Sequence, residues 1–336
     1  MDKSKILVTG GAGYIGSHVV RQLGKVGEDV ITLDNLSTGF EAAVTSGKLV
    51  IGDTGDAALL DRVFSEHDID TVMHFAAHTI VPESVADPLK YYGNNTASSR
   101  ILLERANAHG VKHVVFSSTA AVYGIPPEGK ATEDTPTRPI NPYGSSKLMT
   151  EWMLRDLANA GGPSYVALRY FNVAGCEPTG TIGQSTPKAT LLVKVACEAA
   201  VGSRPGVSIF GTDYPTPDGT GLRDYIHVED LATAHLDALN YLRDGGKAAT
   251  LNCGYGHGYS VREVLAAVEK ANGAPLQITE QPRRAGDPPE LIAVAKKIQS
   301  VLGWQPRFDD LDTIVRTSLA WERKIADQDA SAYWAA

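Results

Sequence analysis

Short apolar runs alternate with longer segments of helical periodicity through the first half of the chain. The apolar runs cover residues 5–9, 29–33, 48–51, 70–77, 111–119 and 164–170. Each has the length of a buried parallel strand, and segments with helical patterns lie between them, for example at 17–23, 59–64 and 94–109. This alternation predicts a doubly wound parallel α/β sheet (a Rossmann fold), in which ligands bind at the carboxyl ends of the strands.

The pattern changes after about residue 172. Gly, Pro and Thr become frequent at 175–190 and 211–221, and the helical segments become shorter. We therefore predict a Rossmann domain over residues 1–172 and a smaller, partly interleaved α/β substrate-binding domain over residues 173–336. A segment near residues 220–245 is expected to pack back on the first domain.

Composition narrows the classes of partner. The formal net charge of −8 argues against nucleic acid, because binding to a phosphate backbone requires a basic surface. The three cysteines, Cys176, Cys197 and Cys253, are too far apart to suggest a zinc site or a disulfide framework, so we expect no metal. No signal-peptide pattern and no apolar stretch of membrane-spanning length is present, so we expect no membrane partner and a cytoplasmic location.

A glycine-rich turn follows the first apolar run. Gly10, Gly13 and Gly16 separate that run from a helical segment, and they allow a pyrophosphate to approach the helix N-terminus closely. The next apolar run ends at Asp34, whose carboxylate can accept hydrogen bonds from an adenosine ribose. Strand, glycines, helix, strand and acid in this order predict dinucleotide binding. The acid favours NAD over NADP, whose 2′-phosphate it would repel.

A second candidate site lies in residues 141–147 (NPYGSSK). Pro142 favours the first turn of a helix, and Tyr143 and Lys147 then share one helix face because they are four residues apart. An ammonium group near a phenol favours the phenolate. Lowering the pKa of a tyrosine to about 7 requires roughly 4 kcal/mol, which a lysine together with a cationic cofactor can supply. Tyr143 is therefore a candidate base.

These features together resemble the extended short-chain dehydrogenase/reductase superfamily and, within it, the UDP-glucose (UDP-galactose) 4-epimerase family. The resemblance extends from Ile6 to about Trp304. Its early motifs, at 8–18 (VTGGAGYIGSH), 33–36 (LDNL), 74–77 (HFAA), 116–124 (FSSTAAVYG) and 169–172 (RYFN), occur across the superfamily. The more discriminating late motifs are 209–214 (IFGTDY), 218–228 (DGTGLRDYIHV) and 283–287 (RRAGD).

The resemblance implies a role for each matching residue. Tyr143 would be the catalytic base, Lys147 its electrostatic partner and a ligand of the nicotinamide ribose, and Thr119 the hydroxyl that bridges base and sugar. Besides Tyr143, Lys147 and the three glycines, the expected NAD contacts are Tyr14, Ile15, Asp34, Asn35, Asp53, Thr54, Phe75, Ala76, Ala77, Asn94 and Phe171. Besides Thr119 and Tyr143, the expected contacts to a UDP-sugar are Asn172, Phe210, Arg223, Arg284, Asp287 and Leu291.

The implied reaction is reversible inversion at C4 of a UDP-hexose. Tyr143 takes the 4-hydroxyl proton while hydride passes to NAD, the 4-keto sugar turns over, and both are returned to its other face. The family also implies a homodimer.

The chain departs from the usual family pattern at four positions. Thr119 replaces a serine and keeps its hydroxyl, whereas Thr79 and Leu191 replace polar residues near the cofactor and the diphosphate. Leu291 stands where some members have a tyrosine that limits the sugar pocket. We therefore hypothesise that UDP-N-acetylglucosamine is accepted alongside UDP-glucose.

Proteins with other activities also use this scaffold. Sugar-nucleotide dehydratases and decarboxylases carry acidic groups after the threonine, where this chain has Ala120 and Ala121, which cannot transfer a proton. Epimerases of UDP-glucuronate or a UDP-pentose remain alternatives, because contacts at C6 of the sugar cannot be assigned from the sequence. A non-catalytic NAD sensor is disfavoured, because it would have no use for Thr119, Tyr143 and Lys147 together.

Overall fold

A computed structural model describes residues 5–186, 189–284 and 287–327 of the chain. Ala285 and Gly286 of the last family motif, and the end of the second predicted domain after residue 327, lie outside these ranges.

The strands and helices follow the predicted alternation through the first half of the chain. The strands are β1 (Lys5–Thr9), β2 (Val30–Asp34), β3 (Lys48–Ile51), β4 (Ile69–His74), β5 (His113–Thr119), β6 (Lys130–Ala131), β7 (Ser164–Tyr170), β8 (Asn172–Ala174), β9 (Val207–Phe210), β10 (Leu222–Arg223), β11 (Tyr225–His227), β12 (Ala249–Cys253), β13 (Tyr259–Ser260), β14 (Ile278–Gln281) and β15 (Glu290–Ala293). The α-helices are α1 (Tyr14–Lys25), α2 (Ala57–Glu66), α3 (Val81–Ala86), α4 (Pro88–Tyr91), α5 (Ser98–Ala108), α6 (Pro142–Asn159), α7 (Leu192–Ala200), α8 (Val228–Arg243), α9 (Val261–Asn272), α10 (Lys296–Leu302) and α11 (Leu311–Asp327).

The central element is a parallel sheet of seven strands in the order β12-β7-β5-β4-β1-β2-β3. The order reverses at β1, which pairs with β2 on one side and with β4 on the other. A crevice forms at such a reversal, outside the carboxyl ends of the strands, and it is where doubly wound sheets bind ligands. The predicted fold class is confirmed.

Both faces of the sheet are buried, which explains why its strands are continuous apolar runs rather than alternating ones. Ile6 and Val8 of β1 belong to the core shared with α1 and α8, whereas Leu7 between them belongs to the core shared with α2, α5 and α6. A third core lies among α7, α9 and α11. It supports the second half of the chain.

The second half of the chain also contributes to the central sheet. The helix α8 packs against α1, β5 and β7, and β12 pairs with β7 so that Leu251 lies opposite Leu168. We did not predict β12, because Thr250 and Asn252 interrupt its apolar pattern. The Asn252 amide is buried and donates to the carbonyl of Ala131 at 2.8 Å. How the chain divides into domains stays a prediction.

A buried ion pair fixes α6 to the sheet. The Arg169 guanidinium on β7 bonds to both carboxylate oxygens of Glu151 on α6, at 2.9 and 2.6 Å. The hydroxyl of Ser118 on β5 also donates to Glu151, at 2.5 Å. Because a buried carboxylate requires such partners, α6 can take only one position relative to the ends of β5 and β7. Those two ends carry several of the candidate site residues.

Candidate active site

The glycine turn between β1 and α1 is shaped by two close approaches of backbone. Gly10 has a φ of +71°, and a Cβ there would lie 2.6 Å from the backbone nitrogen of Ala76. A Cβ on Gly16 would lie 2.3 Å from the carbonyl oxygen of Gly10. Gly13 differs, because a Cβ there would meet only the Gly10 oxygen, at 3.3 Å. The turn therefore needs Gly10 and Gly16 for its own packing, while Gly13 leaves space beside the helix N-terminus.

Asp34, at the end of β2, forms hydrogen bonds that connect the glycine turn to the loop after β2. One of its carboxylate oxygens accepts from the N–H of Ala12 at 3.0 Å, and the other accepts from the N–H of Leu36 at 2.8 Å. Burial raises the pKa of Asp34, and these two hydrogen bonds oppose that effect. Asn35 donates to Asp53 at 2.9 Å. The predicted ribose-binding residues, including the buried Thr54 that follows Asp53, thus lie at one edge of the sheet.

The segment after β4 is held by residues that we did not predict. Phe75 packs on His235 of α8, with ring centroids 4.8 Å apart, and Ala76 lies against Gly10. The Asn95 side chain accepts from the N–H of His78 at 2.8 Å. The Tyr91 hydroxyl accepts from the N–H of Ile80 at 2.9 Å. These bonds fix the predicted cofactor contacts at 75–77 beside the glycine turn.

Asn94 and Asn95 lie in a π-helical turn, Tyr92–Ala97, that packs against α6. Such single turns are rare and occur often at functional sites. The Asn95 amide also donates to the Ser146 hydroxyl of α6 at 3.1 Å. No local signal in the sequence predicts this turn, because its hydrogen-bond partners are far away in the chain.

Helix α6 begins where its sequence predicts. The side chain of Asn141 caps it by accepting from the N–H of Gly144 at 2.9 Å, and Pro142 follows in the first turn. The ammonium of Lys147 is buried, donates to the carbonyl of Ser117 at 2.8 Å and lies 5.0 Å from the ring centroid of Phe116. Burial lowers the pKa of Lys147 to about 7.

Tyr143 lies one turn before Lys147, partly buried, with its ring at 87° to that of Tyr91 and the centroids 6.5 Å apart. Burial raises the pKa of Tyr143, and a hydrogen bond with the side chain of Thr119 lowers it. The Thr119 hydroxyl also accepts from the N–H of Ala121 at 3.1 Å. The structure thus places Tyr143 close enough to Thr119 for their side chains to interact, with Lys147 on the next turn of the same helix.

The predicted nucleotide-binding residues form a second cluster. The Arg284 guanidinium carbon lies 3.6 Å from the ring centroid of Phe210. The guanidinium of Arg223 lies 3.6 Å from a carboxylate oxygen of Asp287. Pairing of β10 with β15 places Arg223 opposite Leu291. Two cations, one carboxylate and an aromatic face are thus gathered where a nucleoside diphosphate can be held.

A short stretch of backbone connects the two clusters. Thr119 lies opposite Tyr170 in the sheet, and Phe171 and Asn172 continue from that strand. The N–H of Asn172 donates to the carbonyl of Asp224 at 2.9 Å, immediately after Arg223. Asp224 is itself buried and accepts from the N–H groups of Tyr255, Gly256 and Ala293. Burial raises the pKa of Asp224 to about 6. Sequence reasoning did not identify this supporting role of Asp224.

Comparisons with known proteins identify the family of the chain. Residues 6–254 match the family described as "NAD dependent epimerase/dehydratase family". The chain belongs to this family.

Similar members of this family carry more specific names. The chain is 56% identical to a UDP-glucose 4-epimerase from Azospirillum brasilense over 96% of its own length and 92% of that protein. A UDP-glucose 4-epimerase from Bifidobacterium longum, solved in complex with NAD+ and UDP, is 42% identical with a TM-score of 0.91, covering 96% of this chain and 99% of that one. A UDP-Glc/GlcNAc 4-epimerase from Campylobacter jejuni is 46% identical with a TM-score of 0.84, covering 96% and 100%.

The described residues fit the NAD used by this epimerase/dehydratase family. The open face at Gly13 and the first turn of α1 offer backbone N–H groups to a pyrophosphate, and Asp34 lies at the adjacent strand end. Phe75–Ala77 follow directly after β4, beside Gly10, and Lys147 bonds to Ser117 near the end of β5. Among the described residues, no group of three or more His, Cys, Asp or Glu side chains is arranged to hold a metal ion.

Gly13 and Gly16, two glycines of the turn, give a matched pair of variants. We expect Gly13→Ala to cost only about 1 kcal/mol of folding free energy, because its Cβ meets little protein, yet to weaken NAD binding strongly by occupying the open face. Gly16→Ala should destabilise the fold itself, because its Cβ would overlap the Gly10 carbonyl. Urea denaturation and NAD titration of both variants test this difference. Equal losses of stability in the two variants would contradict it.

Proposed function

We propose that this protein catalyses the NAD-dependent, reversible 4-epimerisation of a UDP-hexose, UDP-glucose to UDP-galactose. The observation that carries the proposal is the placement of Tyr143 within reach of Thr119, one helical turn before the buried Lys147. Full-length similarity to UDP-glucose 4-epimerases supports the same conclusion.

Tyr143 exchanges the proton of the sugar's 4-hydroxyl. NAD, held at the glycine turn and Asp34, would supply the hydride acceptor and donor for C4 of the sugar. Thr119 favours the phenolate form of Tyr143 through its hydrogen bond, and we assign its hydroxyl to contact with the same sugar oxygen. We assign to Lys147, one helical turn further on, the positive charge that favours the phenolate; its ammonium donates to the carbonyl of Ser117.

The nucleotide cluster anchors the substrate away from the reacting carbon. We assign the diphosphate to Arg223 and Arg284, the ribose to Asp287 and the uracil to the face of Phe210. The sugar itself must turn over between the two hydride transfers, so its own contacts have to be weak. Binding energy from the non-reacting nucleotide makes that possible.

The two alanines that follow Thr119 favour epimerisation over elimination. Ala120 is buried directly after Thr119, and Ala121 offers only its backbone N–H to Thr119. Neither side chain can transfer a proton. A dehydratase or decarboxylase would need one that can.

We expect Tyr143→Phe to fold and to retain NAD but to lose about 10²- to 10⁴-fold in turnover, because its ring lacks the exchangeable proton. Turnover of UDP-glucose, with NAD content and melting temperature measured in parallel, tests this. Tyr241→Phe is the control, because it removes a tyrosine hydroxyl that bonds only to the carbonyl of Lys247 far from the site. Near-native turnover by Tyr143→Phe would show that Tyr143 is not the base.

We propose that the sugar pocket also accepts a 2-acetamido group, as in the similar Campylobacter jejuni UDP-Glc/GlcNAc 4-epimerase. Leu291 lies opposite Arg223 and packs at the edge of the main core, where a tyrosine would extend further. Leu291→Tyr should reduce turnover of UDP-N-acetylglucosamine at least about tenfold more than that of UDP-glucose. Parallel kinetics with both sugars test this. Unchanged discrimination between the sugars would rule out Leu291 as the limiting residue.

We also propose that the protein is a homodimer that uses the outer face of α6. Trp152 is 46% exposed, and Met149, three residues before it on the same face, is partly exposed. An exposed tryptophan beside a methionine is typical of a protein interface. Trp152→Lys should shift the sedimentation coefficient toward that of a monomer, whereas Val26→Lys, at a 59% exposed residue elsewhere, should not. A monomeric wild-type protein would refute the proposal.

A cytoplasmic location stays a prediction. Among the helices of the described residues, none is long and apolar enough to cross a bilayer.

A further inference from the structure

A small crevice, partly open to solvent, lies at the N-terminus of α1. Gly13, Tyr14 and Ser17 form one wall, and Thr38 and Phe40, from the loop after Asp34, form another. The remaining wall comes from the second half of the chain, through the segment that contains Ser185. The crevice therefore adjoins the glycine turn, although part of its lining lies outside the family motifs for NAD.

Residues 175–186, which we call the strap, are fastened to α1. The Tyr14 hydroxyl donates to the carbonyl of Gly175 at 2.6 Å, and Arg21 bonds to Glu177 at 2.5 Å. The second carboxylate oxygen of Glu177 accepts from the N–H of Thr179 at 2.9 Å and from that of Thr181 at 3.2 Å. Arg21 is thus linked through one carboxylate to the turn that shapes the strap.

The far end of the strap is fastened to α11. The indole N–H of Trp321 donates to the carbonyl of Gln184 at 3.2 Å, and a Cβ on Gly183 would overlap the Trp321 ring at 2.4 Å. Lys324 donates to the carbonyl of Gly180 at 2.5 Å. With both ends held, the strap has a defined position over the start of α1.

In this position of the strap, the side chain of Ser185 lacks a hydrogen-bond partner among the described residues. The residue is only 8% exposed, and its hydroxyl oxygen is buried. Buried hydroxyls are almost always bonded, so an unpaired one in the wall of a crevice indicates a missing ligand or water. The opposite wall is a helix N-terminus, which attracts anions.

We propose that Ser185 donates a hydrogen bond to the pyrophosphate of NAD, and that the strap, fixed in this position, covers the cofactor from the second half of the chain and so retains it. This inference rests on the proposed function in taking NAD as the ligand. It adds a cofactor contact outside the residues 6–172 that carry the other predicted NAD contacts. It also gives a physical reason for a cofactor that is regenerated in each turnover to remain bound.

The test is the rate at which NAD leaves the purified holoenzyme. Diluted protein is mixed with ethanol and alcohol dehydrogenase, which reduces the released NAD and raises absorbance at 340 nm. Ser185→Ala should release NAD about tenfold faster, because one hydrogen bond to a charged group is lost. Arg21→Met, which detaches Glu177, should also accelerate release.

Thr181→Val is the matched control, because the Thr181 hydroxyl lies on the exposed side of the strap and bonds only to that of Thr179. It should release NAD at the wild-type rate. Equal release rates for wild type and Ser185→Ala would overturn the inference while leaving the proposed function intact. A wild-type protein that carries no NAD and binds none would instead refute the proposed function.

Discussion

The site depends on the cost of placing an ammonium group inside the protein. Lys147 is 3% exposed, and its Nζ has a carbonyl oxygen and an aromatic face near it. Both partners come from β5, which also ends in Thr119. Because a buried cation tolerates little displacement from its partners, Lys147 fixes the first turns of α6 against that strand. Tyr143 then has to lie beside Thr119.

The ion pair of Glu151 with Arg169 extends this constraint by one further turn. Lys147 and Glu151 are four residues apart, so both project from α6 toward the sheet. One bonds to β5, and the other bonds to β5 and β7 together. The catalytic face of the helix is therefore oriented by four hydrogen bonds to strand residues, independently of any ligand. The nucleotide cluster, in contrast, is assembled from β9, β10 and the segment before β15.

The sequence predicted those parts of the structure whose determinants are local. Apolar runs of strand length predicted β1 to β5 and β7, and the spacing of Tyr143 and Lys147 predicted their shared face. It could not predict β12, whose polar Asn252 finds its partners only in the folded protein. It also missed the π-helical turn, because Asn95 and Tyr91 act on residues 11 to 51 positions away. The hydrogen-bond acceptor of Lys147 is a backbone carbonyl, which every residue type has, so the sequence cannot identify it.

The pairing of β12 with β7 has a consequence for how the chain comes to be folded. The last strand of the main sheet begins at Ala249, so about three quarters of the polypeptide must leave the ribosome before that sheet is complete. Until then, β7 is an open edge that can pair with a strand of another chain. The sheet that carries the predicted cofactor site is thus completed late in synthesis, although most of its strands are made early.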